Sequence, residues 1–488
     1  MHFPGVAGFG ALVRSYRMAM LAILLGLSEV GYIALVRLDA VGGLRPVVNF
    51  LLLMAFLFVI YGLALRLVGR GPDHTRMLVL AAGGAVMFRV TLLVAGLPHG
   101  PVQGGMLPAL RADLSGRSVA YERFLIFDDD IWRYLWDGHV WSRGVNPYRF
   151  APQNSALDGL IESSTWSDIR DNINHPSTPT IYPPLAEAVF RVSHLVAAGS
   201  VFAMKGILTG FDLLASLFVG LTLRQMRRPA VLTIVYAWNP LVVKAFSGSG
   251  HVDALIAASL AACAYFLVRE FRALAAMAFA AAVLAKTAPL ILFPFFARRI
   301  GLRYSAAGLG LAFAAYLPFR DAGWRLFDGL AAFGAQWQFN AGPFVLFRAL
   351  SQFFFPAPDA VARALSALAI VTVVAWAMWR DDCRTVSFAA ISAAVLGFAI
   401  LLSPVVMPWY IAGILPLAAI SGQRFWVWIS ALVSFAFLVM IDGAERNWAL
   451  ITEYGIMLMA LCASQRSACK SIERKTTIER KTTNETIL

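Results

Sequence analysis

FDDDIWRYLWDGHVWSRGVNPYRFAP, residues 127–152, is the densest polar and aromatic run in a chain that is otherwise strongly apolar. On both sides of it the sequence falls into blocks of about 20 residues rich in Ala, Leu, Val and Phe, the length that crosses a bilayer at roughly 1.5 Å rise per residue. Gly and Pro occur inside the blocks, as membrane helices tolerate. The alternation over about 10 residues that marks a membrane barrel is absent. Of the 488 residues, 59% are hydrophobic and 14% charged, whereas soluble domains carry about 25% charged residues. The contrast predicts an all-α polytopic membrane protein with about 12–14 transmembrane helices and one large polar loop.

Charge sets the orientation. The net charge is +13, but Arg and Lys sit in short clusters between apolar runs, the positive-inside pattern, which argues against a nucleic-acid partner. Arg14 and Arg17 precede a first span near 18–37, and Arg66, Arg70 and Arg76 follow a second near 46–66. A third span, near 77–97, leads out. The next segment, 98–182, holds seven Lys/Arg against ten Asp/Glu, a net of −3, and belongs outside. Residues 183–198 carry Glu187, Arg191 and His194 and read as a juxtamembrane helix, which keeps Arg224, Arg227 and Arg228 inside. The chain thus divides into N-terminal membrane helices (1–97), an outer loop with juxtamembrane helices (98–202), a helix bundle with a second outer loop at 320–358 (203–463), and a basic inner tail (464–488). The tail repeats IERKTT at 472–477 and 478–483 and reads as disordered. Residues 1–10 show no signal-peptide pattern. None of the four cysteines (Cys263, Cys383, Cys462, Cys469) lies in the large outer loop, so no disulfide framework is expected.

The run at 127–152 begins with Asp128, Asp129 and Asp130, which repel one another unless a cation or proton is near. A helix follows, with Asp130, Arg133, Tyr134 and Asp137 on one face and Trp132, Trp136 and Val140 on another that suits a membrane interface. Gly144 ends it and Asn146-Pro147-Tyr148 turns the chain. One reading makes the aspartates a cap and dipole complement; the other makes them a general base or cation ligand at the bilayer surface. NHPSTPTIYPPL (174–185) is stiffened by four prolines. It is either a rigid turn or a wall in which His175 or Tyr182 lines a site.

SGSGHVDA (247–254) puts His251 and Asp253 at an outer helix end, and Lys286 stands where Lys286-Thr287-Ala288-Pro289 breaks a helix. Ionisable groups at such positions are functional candidates by default, although a lone Lys can simply snorkel. If Arg133, Lys286 and His251 converge they form a phosphate site. Trp337 in QWQFN (336–340) and Trp409 in SPVVMPWY (403–410) present rings that can stack on a sugar, although for each taken alone an aromatic belt is the commoner explanation. No Walker loop, HExxH or CxxC pair supports ATP hydrolysis or zinc chemistry.

The order of these motifs (an acidic first outer loop, WDG…GxNPY, YPPL, NP…SGHVDA, a Lys-x-x-Pro break and a late PWY) resembles the GT-C superfamily of polyprenyl-phosphate-sugar-dependent glycosyltransferases. It is most like the bacterial branch of glycosyltransferase family 87 and the polyprenol-phosphomannose-dependent α-mannosyltransferases. The resemblance spans most of 127–416, and the hairpin before residue 70 looks like an addition. It implies a GT-C-like fold with a periplasmic catalytic loop, in a bacterial cytoplasmic (inner) membrane with the active site facing the periplasm. It further implies a polyprenyl-phosphate-sugar donor, with mannose leading, and a glycolipid or glycan acceptor. An aspartate of the first outer loop, Asp129 or Asp130 ahead of Asp128, would serve as base in an inverting transfer. Arg133, Lys286 and His251 would bind the donor phosphate; Asp137, Tyr148, His175, Tyr182, Trp337 and Trp409 would bind substrate. No cofactor and no metal are assigned, although Asp128 and Asp130 form an Asp-x-Asp pair able to hold a divalent cation. The competing reading is a transporter or flippase of lipid-linked sugars, which would share the helices and the broken pair but would not need an acidic cluster outside the membrane.

Overall fold

In a computed structural model of the chain, the structure describes residues 5–38, 44–69, 75–95, 106–117, 129–438, 448–459 and 461. Among these, the regular structure is helical, and a single parallel bridge, Phe339 to Val405, is the only β pairing.

The first three helices are α1 (Gly5–Val36), α2 (Leu44–Val68) and α3 (Thr75–Leu93). They pack into a hydrophobic cluster of their own around Tyr32, Phe50, Phe88 and Trp238. The polar segment then contributes α4 (Met106–Leu114), α5 (Asp130–Ser142), α6 (Ser164–Asp171) and α7 (Pro184–Val196). The bundle follows with α8 (Val201–Gln225), the short pieces α9 (Ile234–Ala237) and α10 (Pro240–Val243), α11 (Asp253–Val268), α12 (Arg272–Ala285), α13 (Phe293–Ile300) and α14 (Leu302–Ala314). The second loop carries α15 (Asp328–Gln336) and α16 (Gly342–Ser351). The chain closes with α17 (Pro358–Arg380), α18 (Phe388–Leu402), α19 (Pro408–Ser421), α20 (Arg424–Leu432) and α21 (Trp448–Met459).

Among the described residues, six helices are long and apolar enough to cross a membrane, and a seventh if Ala230–Ala237 and Pro240–Gly248, bent by 60°, form one span. Five shorter apolar helices, including α11, α12 and α19, accompany them. The chain is thus an all-α polytopic membrane protein. α14 stops at Ala314 and is followed by 3₁₀ turns over Leu317–Phe327, where Gly323 leaves helical geometry.

Buried polar pairs lock the spans together. Arg89 of α3 binds Asp212 of α8 through Nε and Nη2 at 2.6 and 2.9 Å, and Tyr236 donates to the same carboxylate at 2.7 Å. The remaining Arg89 nitrogen donates to the carbonyls of Ala85 and Ala237. Lys205, near the start of α8, donates to the carbonyls of Leu92, Leu93 and Ala95 at the end of α3, where a cation also complements the helix dipole. Asp113 of α4 accepts from the amides of Val201 and Phe202, so α4 caps α8.

α5 and α7 form a tight pair. Gly138 of WDG is required here: a Cβ would lie 2.4 Å from the Phe190 carbonyl oxygen. Tyr134 stacks on Phe190 at 4.5 Å. α7 buries Ala186, Glu187, Val189 and Phe190 and leaves Val192, Leu195 and Val196 exposed, the two-sidedness of a helix lying at a membrane surface. One expectation is corrected. Trp136 and Val140 do not face a membrane interface; they are buried in the core beneath α6 and α7, with Arg170 over the Trp136 ring.

Candidate active site

The helix starts of α5, α11 and α19 and the end of α12 meet at one end of the bundle, and the motif residues gather there. α5 begins at Asp130 as the acidic run suggests, but Asp129 makes no side-chain cap. Its carboxylate is instead bound by Asn174, whose Nδ2 donates to Asp129 Oδ1 at 2.7 Å and to Asp130 Oδ1 at 3.1 Å. Asp128 lies outside the described residues, and with it the Asp-x-Asp pair. Among the described residues no group of three or more His, Cys, Asp or Glu side chains is arranged to hold a metal ion.

Asp130 is the described carboxylate that lines a small cavity, together with Arg133, Asn174, His175, Thr178, Tyr182 and Trp337. The cavity volume is about 20 Å³, room for little more than a water. On its far side Asp130 Oδ2 is 3.5 Å from His251 Nδ1, an ion-pair distance rather than a hydrogen bond. His251 is buried and stacks on Trp409 with ring centres 3.8 Å apart.

Arg133 is nearly buried. Its Nε donates to Asp137 Oδ2 at 2.8 Å and its Nη1 to the Thr178 carbonyl at 2.9 Å, while Nη2 has no hydrogen-bond partner. A buried guanidinium N–H beside an open space is a natural donor to an anion. Lys286 is a quarter exposed. Its ammonium lies 3.0 and 3.3 Å from the two Asp253 oxygens and 3.5 Å from the Tyr410 ring centre. Arg133, His251 and Lys286 therefore lie about the same region, but each already faces a carboxylate: Asp137, Asp130 and Asp253 respectively.

The residues expected to contact substrate separate into two groups. His175, Tyr182 and Trp337 line the cavity, and Trp409 backs it through His251. His175 stacks on Trp337 at 4.0 Å, joining the first outer loop to the second. Burial, with a further push from Arg133, holds the His175 imidazole below its ordinary range. Asp137 and Tyr148, in contrast, do not line the cavity. Asp137 lies buried beneath Arg133, and the Tyr148 hydroxyl donates to the Tyr182 carbonyl at 2.6 Å while its ring packs on Phe319. Asn146 makes the expected turn, accepting from the Tyr148 amide at 3.0 Å. Beneath the cavity wall, Thr180 donates to Glu187 at 2.7 Å. Burial, with the neighbouring Asp137, pushes Glu187 above the ordinary carboxyl range.

Sequence reading missed Asn174, Thr178 and the pairing of Asp253 with Lys286. Asp253 carried a visible signal, an acid beside His251 at a helix start. Asn174 carried none, because its partners lie 44 and 45 residues away.

With this geometry in place, comparison with known proteins is informative. Residues 124–300 match the family model for "Alpha-(1->6)-mannopyranosyltransferase, N-terminal domain". No curated protein and no solved structure gives a match. The match covers just over a third of the chain and contains Asp129, Asp130, Arg133, Asn174, His251 and Lys286. The chain is a glycosyltransferase of the membrane-embedded kind, and the sugar-transfer domain it carries is of the mannosyltransferase type. The resemblance read from the motifs to polyprenol-phosphomannose-dependent mannosyltransferases agrees with this finding.

Proposed function

We propose that the protein transfers mannose from a polyprenyl-phosphate donor to a hydroxyl of a glycolipid or glycan acceptor, with Asp130 as general base. The observation that carries this reading is the position of Asp130: it lines the cavity at the start of α5, opposite a buried Arg133 N–H without a partner. Base and anion donor thus share one small space.

In the proposed reaction the acceptor oxygen attacks the anomeric carbon and its proton passes to Asp130. The bond from the anomeric carbon to the phosphate oxygen breaks, and polyprenyl phosphate leaves with the electron pair. Arg133 Nη2 stabilises the charge that develops on the leaving phosphate, with Lys286 able to add to it when it turns from Asp253. His175, Tyr182 and Trp337 offer ring faces and edges to the sugar. Inversion at carbon turns a β-linked donor into an α-linked product, the anomeric configuration named in the family description. The transfer requires no cofactor in this scheme.

The site is proposed to face the periplasm from a bacterial cytoplasmic membrane. Support comes from the net −3 of the segment 98–182. It comes also from arginines at the other end of the bundle, where Arg17 donates to the Leu67 carbonyl and Arg299 pairs with Asp381 at 2.6 Å.

The test uses purified full-length protein, polyprenyl-phosphate-mannose and an alkyl mannoside acceptor, with release of polyprenyl phosphate as the readout. Asp130→Asn should lose on the order of 10²–10⁴ in kcat with an unchanged melting temperature, and Asp129→Asn should lose far less. Full turnover in Asp130→Asn would sink the assignment of the base.

A further inference from the structure

We propose that Asn174 is a positioning residue for the transfer: it bridges Asp129 and Asp130 in one fixed geometry and leaves Asp130 as the carboxylate that takes the proton. This rests on the reading of Asp130 as base.

Two adjacent carboxylates at a helix start repel each other, and each would otherwise turn toward solvent. The Asn174 amide has two N–H groups on one nitrogen, and it directs them to Oδ1 of both aspartates at 2.7 and 3.1 Å. Being neutral, it links the two carboxylates without cancelling either charge. The two carboxylates are left in different settings. Asp129 is exposed and does not line the cavity; Asp130 is three-quarters buried, lines it, and has His251 against its other oxygen. Asn174 thus holds one oxygen of Asp130 while His251 lies beside the other.

The loop is built to deliver this amide. His175, the next residue, has φ +50°, a left-handed conformation that a non-glycine residue directly before proline adopts only when its surroundings impose it. What imposes it is on both flanks. The His175 carbonyl accepts from Thr178 N at 3.1 Å, the Pro176 carbonyl accepts from Gln153 N at 3.0 Å, Arg133 holds the Thr178 carbonyl, and Trp337 covers the His175 ring. The strained residue lies between the amide that meets the aspartates and the carbonyl that meets Arg133. One short loop therefore sets the base and the phosphate donor relative to each other. Asn174 takes and gives no proton in the reaction; the acceptor proton goes to Asp130.

The ionisable groups facing Asp130 are Asp129 and Arg133 from its own helix start, Tyr134 from α5, His175 and Tyr182 from the proline-rich loop, His251 from before α11, and Tyr410 from α19. Asn174→Asp adds a third carboxylate among them at nearly constant shape. An added negative charge raises the pKa of a neighbouring carboxyl, so the acidic limb of the rate profile should move to higher pH.

The experiment compares Asn174→Asp, Asn174→Ala and Asn174→Ser with wild type and Asp130→Asn, in full-length protein supplied with polyprenyl-phosphate-mannose and an alkyl mannoside. Expected are a kcat lower by on the order of 100-fold in Asn174→Ala and an acidic limb raised by about one pH unit or more in Asn174→Asp. The KM for the donor should change by less than about twofold, since uniform binding is untouched. Asn174→Ser, which keeps one donor, should recover part of the lost kcat. Wild-type kcat and pH profile in Asn174→Asp, with Asp130→Asn inactive, would overturn the positioning role and leave the base standing. A loss of kcat that merely follows a lower melting temperature, with no shift of the acidic limb, would overturn it as well. Activity in Asp130→Asn would remove the base and this role with it.

Discussion

Arg89 and Asp212 form an ion pair that no solvent reaches, closed on one side by the Tyr236 hydroxyl and on the other by the Ala85 and Ala237 carbonyls. Every strong donor and acceptor in this group is satisfied, which is the condition for a buried pair to be tolerated. Removing one partner should cost about 3–5 kcal/mol. Asp212→Asn should therefore melt well below wild type in detergent. The double change Arg89→Met with Asp212→Leu should recover most of the loss, because neither charge is then stranded. A double variant no more stable than Asp212→Asn would show that the pair does more than hold helices.

Gly138→Ala is expected to disrupt the α5–α7 contact. Its Cβ would meet the Phe190 carbonyl carbon and oxygen, both backbone atoms that cannot rotate away. Overpacking of this kind costs about 1–3 kcal/mol, and α5 must shift to relieve it. Asp130 and Arg133 shift with the helix. Transfer activity should fall more than the melting temperature suggests.

Arg133 separates a structural from a binding role. Arg133→Ala leaves Asp137 buried without its partner, a loss of about 3–5 kcal/mol. Arg133→Lys restores a charge but not the planar fork that serves Asp137, the Thr178 carbonyl and the cavity together. The Lys variant should fold, and its KM for polyprenyl-phosphate-mannose should rise about tenfold or more, the scale of one lost charged hydrogen bond. An unchanged KM would move the phosphate elsewhere.

Trp337→Ala uncovers His175 and opens the cavity toward the second outer loop. The KM for the mannoside acceptor should rise while the donor KM holds. Equal changes in both would indicate a collapsed loop instead.

His139 gives stability a pH dependence. Its ring lies on Trp166 at 3.7 Å and its Nε2 reaches the Leu160 carbonyl at 2.9 Å. Burial is the main cause that lowers it from 6.5 to about 4. A depressed folded-state value means the unfolded chain binds the proton first. The stabilisation is therefore complete above about pH 6.5 and is lost as pH falls toward about 4. His139→Gln should flatten the melting temperature over that window. His194, lowered by burial in the same way, leaves a smaller residual slope.

Much of the architecture was legible because membrane helices announce themselves by length and composition. The break after Lys286, the end of α5 at Gly144 and the Asn146 turn could all be read, since each is set by residues close in sequence. The contacts that make the site are of another kind. Asn174 meets Asp130 across 44 residues, and Asp253 meets Lys286 across 33. Periodicity showed that α5 has two faces but could not show what covers each. The Trp136 face thus looked ready for lipid, whereas α6 and α7 fold over it. Arg89 and Asp212 were a signal that went unused: charged residues inside two apolar blocks, each needing the other.

The cavity walls have two origins along the chain. Asp130, Arg133, Asn174, His175 and Tyr182 fall within the segment 124–300, whereas Trp337 comes from far downstream, as do Trp409 and Tyr410 behind the wall on His251 and Lys286. Changes after residue 300 can thus recontour the side facing the carboxylates while the segment that holds them stays intact. Trp337 in particular can be replaced without altering any residue of the segment that carries Asp130 and Arg133.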